Sequence, residues 1–305
     1  MTERTAVLLM AYGTPRSRDD VAAYYTDIRR GRPPTAEQLA DLVRRYDAIG
    51  GTSPLAERTE AQRAALQAAL DQREPDRFDV VLGLKHAEPK IEAAVAAIAA
   101  GGTRSVVALV LAPHYSALSV GQYVERARAA AELHGVDVRA VESWATEPEL
   151  VAFLARSVRD KLSTLPANSK VVFTAHSLPS RVIEMGDRYP DELQATAAAV
   201  AREAGLAPWS GWSVAWQSAG RTPEPWLGPD VLAVISDLAA AENADGVLVC
   251  ACGFVADHLE VLYDLDVEAA RHAEGLGLAF ARTDCVNDDP DVIGALADRV
   301  IGAAG

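Results

Sequence analysis

The feature that most constrains this chain is the alternation of short apolar runs with helix-like segments from one end to the other. Residues 6–10 read as a strand, and 19–30 and 35–46 as helices joined by 31–34. A loop holding Gly50, Gly51 and Ser53 leads into a long helix that ends near Arg73. Strands at 79–84, 105–112 and 136–141 then alternate with helices at 88–100 and 120–134. The second half repeats the scheme, with helices at 147–162, 190–205, 229–242, 257–270 and 290–304 between strands at 170–174, 212–216, 246–250 and 278–281. This rhythm predicts an α/β protein whose sheets are parallel and covered by helices on both faces. A length of 305 residues is enough for two doubly wound domains facing each other. The expected division is 1–145 and 146–305, although no low-complexity linker marks it.

Composition removes several classes of function. A net charge of −14 argues against a nucleic-acid role. No apolar run approaches the roughly 18 residues of a membrane span. The N-terminal stretch passes straight from an apolar run into Gly-Thr-Pro, which reads as a first strand and not as a signal peptide. Three cysteines point to a reducing cytoplasm rather than to a disulfide framework.

Chemistry concentrates in GFVADHLEVLYDLDVE, Gly253 to Glu268. The stretch follows the apolar run Gly246–Cys250, and Asp257 is placed to cap the helix expected there. Glu260, Asp264 and Glu268 are spaced i, i+4, i+8, which sets three carboxylates along one helix face with no lysine or arginine among them. Two readings stand: a solvated acidic face, or a ladder of hard oxygen ligands that leads a divalent cation inward. The helix start lies past the carboxyl end of a strand, where open α/β sheets place their sites. His176 likewise follows a strand. It is suited to be a base or ligand, or else a structural histidine bonded to a loop carbonyl. A short internal echo relates Val7–Pro15 to Val171–Pro179: an apolar strand, then Ala, then Tyr12 or His176, then two residues and Pro. If the halves are duplicates, Tyr12 and His176 face each other across one cleft.

AHSLP (Ala175 to Pro179) together with GFVADHLEVLYDLD (Gly253 to Asp266) resembles the ferrochelatases, which insert ferrous iron into a porphyrin. AYGTP at 11–15, GGTSPL at 50–55, GLKHAEP at 83–89, APHYS at 112–116, WQSAG at 216–220 and PWLGPDV at 225–231 extend the resemblance over essentially the whole chain. It is similar above all to the Gram-positive branch acting on coproporphyrin III, the cue being Tyr12.

The resemblance implies two Rossmann-like domains around a porphyrin cleft. His176 and Glu260 would act as the catalytic pair and as metal ligands on one porphyrin face, with Asp264 and Glu268 as outer metal steps. Tyr12 would approach the ring centre from the other face, where its phenolic oxygen can ligate the product iron. Arg29, Arg45, Tyr46, Ser53 and Tyr123 would hold the propionates. Position alone does not choose between Arg44 and Arg45; the resemblance does. On the residues themselves, a neutral imidazole at His176 suits the removal of a pyrrole proton near neutral pH.

Blander roles are expected for the other histidines. His86 and His114 would line the cleft floor or pack there, His258 would be structural, and His134 and His272 would lie on the surface. Cys250, Cys252 and Cys285 fall one short of the four thiolates of an iron–sulfur cluster, so none is expected and ferrous iron enters only as substrate. The partners expected are porphyrin and iron, with a transient hand-off to the next enzyme of the haem pathway, in the cytoplasm and without membrane insertion. The rivals are a protoporphyrin IX ferrochelatase, a cobalt or nickel chelatase, and a haem- or metal-binding protein without turnover. Nitrogen and oxygen ligands discriminate weakly among divalent first-row ions, so zinc and cobalt are also expected to be accepted in vitro.

Overall fold

The computed structural model describes residues 4–220 and 222–305, so Met1 to Glu3 of the N-terminal stretch read as a strand lie outside it. Eight strands form two separate four-stranded sheets. The first contains β1 (Thr5–Ala11), β2 (Phe78–Leu84), β3 (Ser105–Val110) and β4 (Asp137–Val141) in the order β2-β1-β3-β4. The second contains β5 (Ser169–His176), β6 (Trp212–Gln217), β7 (Gly246–Cys250) and β8 (Ala279–Arg282) in the order β6-β5-β7-β8. Every pairing is parallel; Thr5 lies opposite both Phe78 and Ser105, and Val171 opposite both Trp212 and Leu248. The two halves therefore carry the same strand order. In each, the chain leaves the first strand toward one edge and returns on the other side, between β1 and β3 or between β5 and β7. The carboxyl ends of those strands are where such a sheet opens a crevice.

The helices are α1 (Val21–Ile28), α2 (Ala36–Ala48), α3 (Leu55–Arg73), α4 (Ile91–Ala100), α5 (Val120–Glu132) and α6 (Pro148–Leu162). They continue with α7 (Arg181–Glu184), α8 (Tyr189–Ala204), α9 (Val231–Ala240), α10 (Leu259–Leu262), α11 (Ala270–Gly275) and α12 (Pro290–Ala304). The four-residue α7 is an addition to the pattern read from the sequence. Strand alternation sorts the layers. Ala6, Leu8 and Met10 face α4 and α5, whereas Val7 and Leu9 face the opposite way. Val7 and Leu9 belong to one apolar cluster that also takes in Leu66 and Leu70 of α3, Val171 and Phe173 of β5, Leu193 of α8 and Val292 and Leu296 of α12. Full burial of such a side chain contributes about 1.5–3 kcal/mol, so this shared cluster binds the halves together. α12 closes the second half in sequence yet packs against α3, β3 and β4. A third cluster seals the far face of the second sheet with Val231, Ile235, Val261 and Leu265.

The expected single helix over 257–270 is three pieces. α10 is followed by a π-helical segment, Asp264–Ala269, and then by α11. Glu268 donates its backbone N–H to the carbonyl of Tyr263, five residues back, at 2.9 Å. Asp257 is not the cap. The residue before α10 is His258, with extended backbone (φ −156°), and Asp257 instead pairs with Arg282 at 3.2 Å and accepts from Asn287 at 2.9 Å. Its carboxylate is thus turned away from the helix start, toward the only arginine on β8.

Candidate active site

His176 is the last residue of β5, half-buried. The loop beyond β7 presses against that strand end, where Gly253 N–H donates to Thr174 O at 3.0 Å. A Cβ on Gly253 would stand 2.4 Å from Ala175 Cβ, so no other residue lets the two segments meet. From there the chain enters α10 and presents Glu260. Gln217 at the end of β6 ties the parts together: it accepts from Thr174 Oγ1 at 2.7 Å and donates to the Glu260 carbonyl at 3.0 Å. His176 Nδ1–H donates to Ser177 O, which fixes the tautomer and leaves Nε2 at 3.6 Å from Glu260 Oε1.

The other carboxylate oxygen, Oε2, lies 3.6 Å from His258 Nε2. His258 is therefore part of the site and not merely structural. It was expected to be excluded because a helix face holding Glu260 cannot hold its near neighbour, but His258 precedes the helix in extended backbone and is not bound by helical geometry. Its Nδ1 donates to Ala256 O at 2.9 Å.

The charges of this triad are coupled. Burial pulls the His176 imidazole down, but the charge and hydrogen bond of Glu260, with the Ser177 carbonyl, more than offset it and raise the pKa to about 9. Burial pushes Glu260 up, and His176 and His258 together hold it well below the usual carboxylate range. The Glu260 carboxylate thus favours the protonated form of His176, and a cation arriving at Glu260 would weaken the hold on that proton and free the imidazole to accept one.

Behind the half-buried Glu260 come a buried carboxylate and then an exposed one. Asp264 is buried; it accepts from Ser218 Oγ at 2.5 Å and lies 3.4 Å from an Arg45 guanidinium nitrogen. Burial, reinforced by the charge of Glu260, lifts its pKa to about 6, with Ser218 and Arg45 acting against the rise. Glu268 is exposed. On an α-helix an i, i+4, i+8 series drifts about 40° per step. The wider π turn advances less per residue and counters that drift between Asp264 and Glu268.

The first half meets this from the opposite side. Tyr12 follows β1, 41 % exposed, its ring 4.6 Å from that of His86. Burial and then the charge of Glu260 raise the Tyr12 phenol well above its ordinary value, and Glu260 acts in the same sense on Tyr24, Tyr46 and Tyr123. These phenols therefore sit close enough to Glu260 to feel its charge. Tyr46 is buried, its hydroxyl 3.4 Å from Thr14 Oγ1; burial leads the rise of its pKa to about 12. Tyr123 is buried beneath Lys85 Nζ, 4.9 Å from the ring centre. Ser53 is buried and its Oγ accepts from Leu55 N–H at 3.2 Å, which leaves its O–H to donate. Arg29 lies over the Tyr25 ring at 5.7 Å and pairs with no carboxylate among the described residues. Arg45 differs: it lies beside both Asp264 and Asp41 and over the Tyr263 ring at 5.1 Å, while Arg44 is turned outward onto Asp41.

Lys85, Tyr24, Asp27, Gln217 and Ser218 were not singled out from the sequence, and His86 only in part; the GLKHAEP block was the available signal for Lys85 and His86, and WQSAG for Gln217 and Ser218. Burial, then Arg126 and Arg30, depress the Lys85 ammonium to about 8. Of the remaining histidines, His134 is exposed, His114 is buried against Thr196 at 2.8 Å, and His272 is half-buried and bonded to Ser236 at 2.8 Å rather than free on the surface. Cys250 and Cys252 sit in one apolar cluster and Cys285 in another.

Two matching parallel sheets, with an imidazole and carboxylates on one side of a crevice and phenols on the other, define an α/β metal chelatase. A solved SirB from Bacillus subtilis with Fe3+ has the same fold, with a TM-score of 0.60 at 14 % identity, covering 99 % of this chain and 96 % of that one. The family model described as Ferrochelatase matches residues 4–304, and the chain belongs to the ferrochelatase family. Among its relatives are the coproporphyrin III ferrochelatases of Geobacillus thermodenitrificans, 44 % identical over 99 % of this chain and 96 % of the relative, and of Bacillus subtilis, 43 % identical over 99 % of both. A ferrochelatase of Herpetosiphon aurantiacus is 43 % identical over 99 % of this chain and its full length.

Proposed function

We propose that the chain inserts ferrous iron into coproporphyrin III and passes the iron coproporphyrin (coprohaem) to the next enzyme of haem synthesis. The observation that carries this is the Glu260 carboxylate held between His176 and His258, with buried Asp264 and exposed Glu268 leading outward. Insertion exchanges two pyrrole N–H protons for one Fe2+. A flat ring hides the nitrogen lone pairs, so the cleft must hold it bent, with the strain drawn from contacts at the edge. Residues 1–145 supply those contacts through Arg29, Arg45, Tyr46, Ser53 and Tyr123, and Tyr12 stands under the ring centre. Residues 146–305 supply the metal and proton side: Glu268 and Asp264 lead the cation in, and Glu260 and His176 take the departing protons and the iron. Arg45 would share its fork between a propionate and Asp264, which links the porphyrin edge to the metal path.

Four propionates distinguish coproporphyrin III from protoporphyrin IX, in which two are replaced by vinyls. A vinyl against a buried donor leaves that donor unpaired, a penalty of about 1–3 kcal/mol. The buried Ser53 O–H is such a donor, and Arg29, half-buried and without a carboxylate partner among the described residues, adds a charged one at the edge. We place the reaction in the cytoplasm, supported by three buried, unpaired cysteines. Among the described residues no helix is long and apolar enough to cross a membrane. The proposal includes no resident cofactor and no iron–sulfur cluster, supported by the separation of Cys285 from Cys250 and Cys252.

The test is kcat/KM for both porphyrins with ferrous iron under anaerobic conditions. A preference of about tenfold or more for coproporphyrin III is expected from one lost donor worth roughly 1.4 kcal/mol. Equal or better use of protoporphyrin IX would overturn the substrate, and saturable porphyrin binding without metal insertion would overturn the activity.

A further inference from the structure

Tyr12 has no hydrogen bond to its hydroxyl among the described residues, and its side chain is exposed. Its position depends on what its ring and backbone touch. The backbone is held from the β2–α4 loop: Lys85 N–H donates to Ala11 O and His86 N–H to Tyr12 O, both at 2.9 Å. Gly13 follows with φ +86°, and a Cβ there would stand 2.7 Å from Ala87 Cβ, so the turn lies flat on the same loop. The ring rests on the His86 imidazole at 4.6 Å with the planes 56° apart. His86 is itself fixed: its Nδ1 is 2.7 Å from Asp27 Oδ2, and the other Asp27 oxygen is 2.9 Å from Lys90 Nζ. Desolvation acts against the Asp27 charge, but the bonds from Lys90 and His86 hold its carboxyl below the ordinary value. Asp27 lies in α1, two residues before Arg29.

We propose that Asp27 is a positioning residue, anchoring the His86 imidazole as the platform that sets where the Tyr12 phenol meets the porphyrin centre. This rests on the reading of Tyr12 as the group facing the ring from the first half. Asp27 touches neither iron nor porphyrin in this role; it acts through His86. Because Arg29 directly follows α1, the same carboxylate sets the distance between a propionate anchor and the ring centre. A hydrogen-bond acceptor at this position is what the platform needs, so Asp27→Asn, whose carboxamide oxygen still accepts from Nδ1–H, should preserve it, whereas Asp27→Ala should not.

The experiment records the visible spectrum of ferric coproporphyrin bound to the full chain, together with kcat and KM for porphyrin. Wild type, Tyr12→Phe, Asp27→Ala, Asp27→Asn and His86→Ala are compared. Tyr12→Phe should change the ligand-to-metal band of the bound ferric product. Asp27→Ala and His86→Ala should shift the band in the same direction and lower kcat about tenfold with KM changed less than about twofold, the pattern of a misplaced group. Asp27→Asn should stay near wild type. A wild-type band and kcat in Asp27→Ala or His86→Ala, while Tyr12→Phe responds, would overturn the inference alone. So would Asp27→Asn behaving like Asp27→Ala, because charge rather than anchoring would then be at work. An unchanged band in Tyr12→Phe would remove Tyr12 from the iron and take the underlying reading with it. Should Asp27→Ala fail to fold, His86→Ala and Asp27→Asn still decide the question.

Discussion

The first half ends β1 in a phenol and the second ends β5 in an imidazole, in sheets of the same strand order. Around Tyr12 the first half gathers further phenols and cations: Tyr24, Tyr46, Tyr123, Lys85 and Arg29. Around His176 the second half gathers a second imidazole and carboxylates. In the function proposed above, one scaffold used twice would supply a face that holds a polyanionic ring and a face that handles a cation and protons. The difference shows that the strand order determines where a group is presented, while the residue at the strand end determines its chemistry.

Replacing the two strand-end residues puts that asymmetry to its strongest test. His176→Ala should lower kcat by about 100-fold or more, the scale of a lost proton-transfer group, with porphyrin KM little changed, whereas Tyr12→Phe should cost about tenfold or less. Steady-state kinetics with both variants settles it; equal losses would mean the halves share the chemistry evenly.

A smaller effect comes from the seam between the halves. His114, past the end of β3, is buried against Thr196 of α8, and burial pulls its pKa down to about 3. An unfolded histidine titrates near about 6.5, so between these values the unfolded chain binds the extra proton. The stability that depends on neutral His114 is complete above about pH 6.5 and is lost as pH falls toward 3, roughly 2 kcal/mol of it by pH 5. Urea midpoints at pH 7 and pH 5 should converge more for His114→Gln than for wild type. Parallel slopes would show that the seam does not sense this proton.

The finest test is within the carboxylate series. Asp264→Asn should raise the KM for ferrous iron roughly tenfold, about 1.4 kcal/mol, and Glu268→Gln only about threefold, each with a lesser change in kcat. The buried step should matter more than the exposed one; the reverse order would dissolve the ladder.

Most of the architecture was legible because strands and helices write their periods into the sequence. The echo between Val7–Pro15 and Val171–Pro179 correctly anticipated equivalent strand ends. What escaped depended on geometry that no period records. A π segment and an α-helix show the same apolar pattern over so few residues, so the break at Asp264 left no trace. His258 was set aside on helical geometry that begins one residue later. The contact between Arg45 and Asp264 spans 219 positions and arises only when the halves pack together. Nothing in the sequence distinguishes Asp27 and Lys90 from other charges; only folding brings Asp27 onto both His86 and Lys90.

The return of α12 to the first half carries a consequence for how the protein is made. A ribosome releases β1 first and α12 last, yet Val7, Leu9, Val107 and Leu109 share their apolar cluster with Val292, Leu296 and Val300. The first sheet is therefore synthesised long before the helix that covers part of its inner face. Domains ordinarily fold as units in the order of synthesis; here part of the first sheet's inner face has its cover only once α12 has emerged.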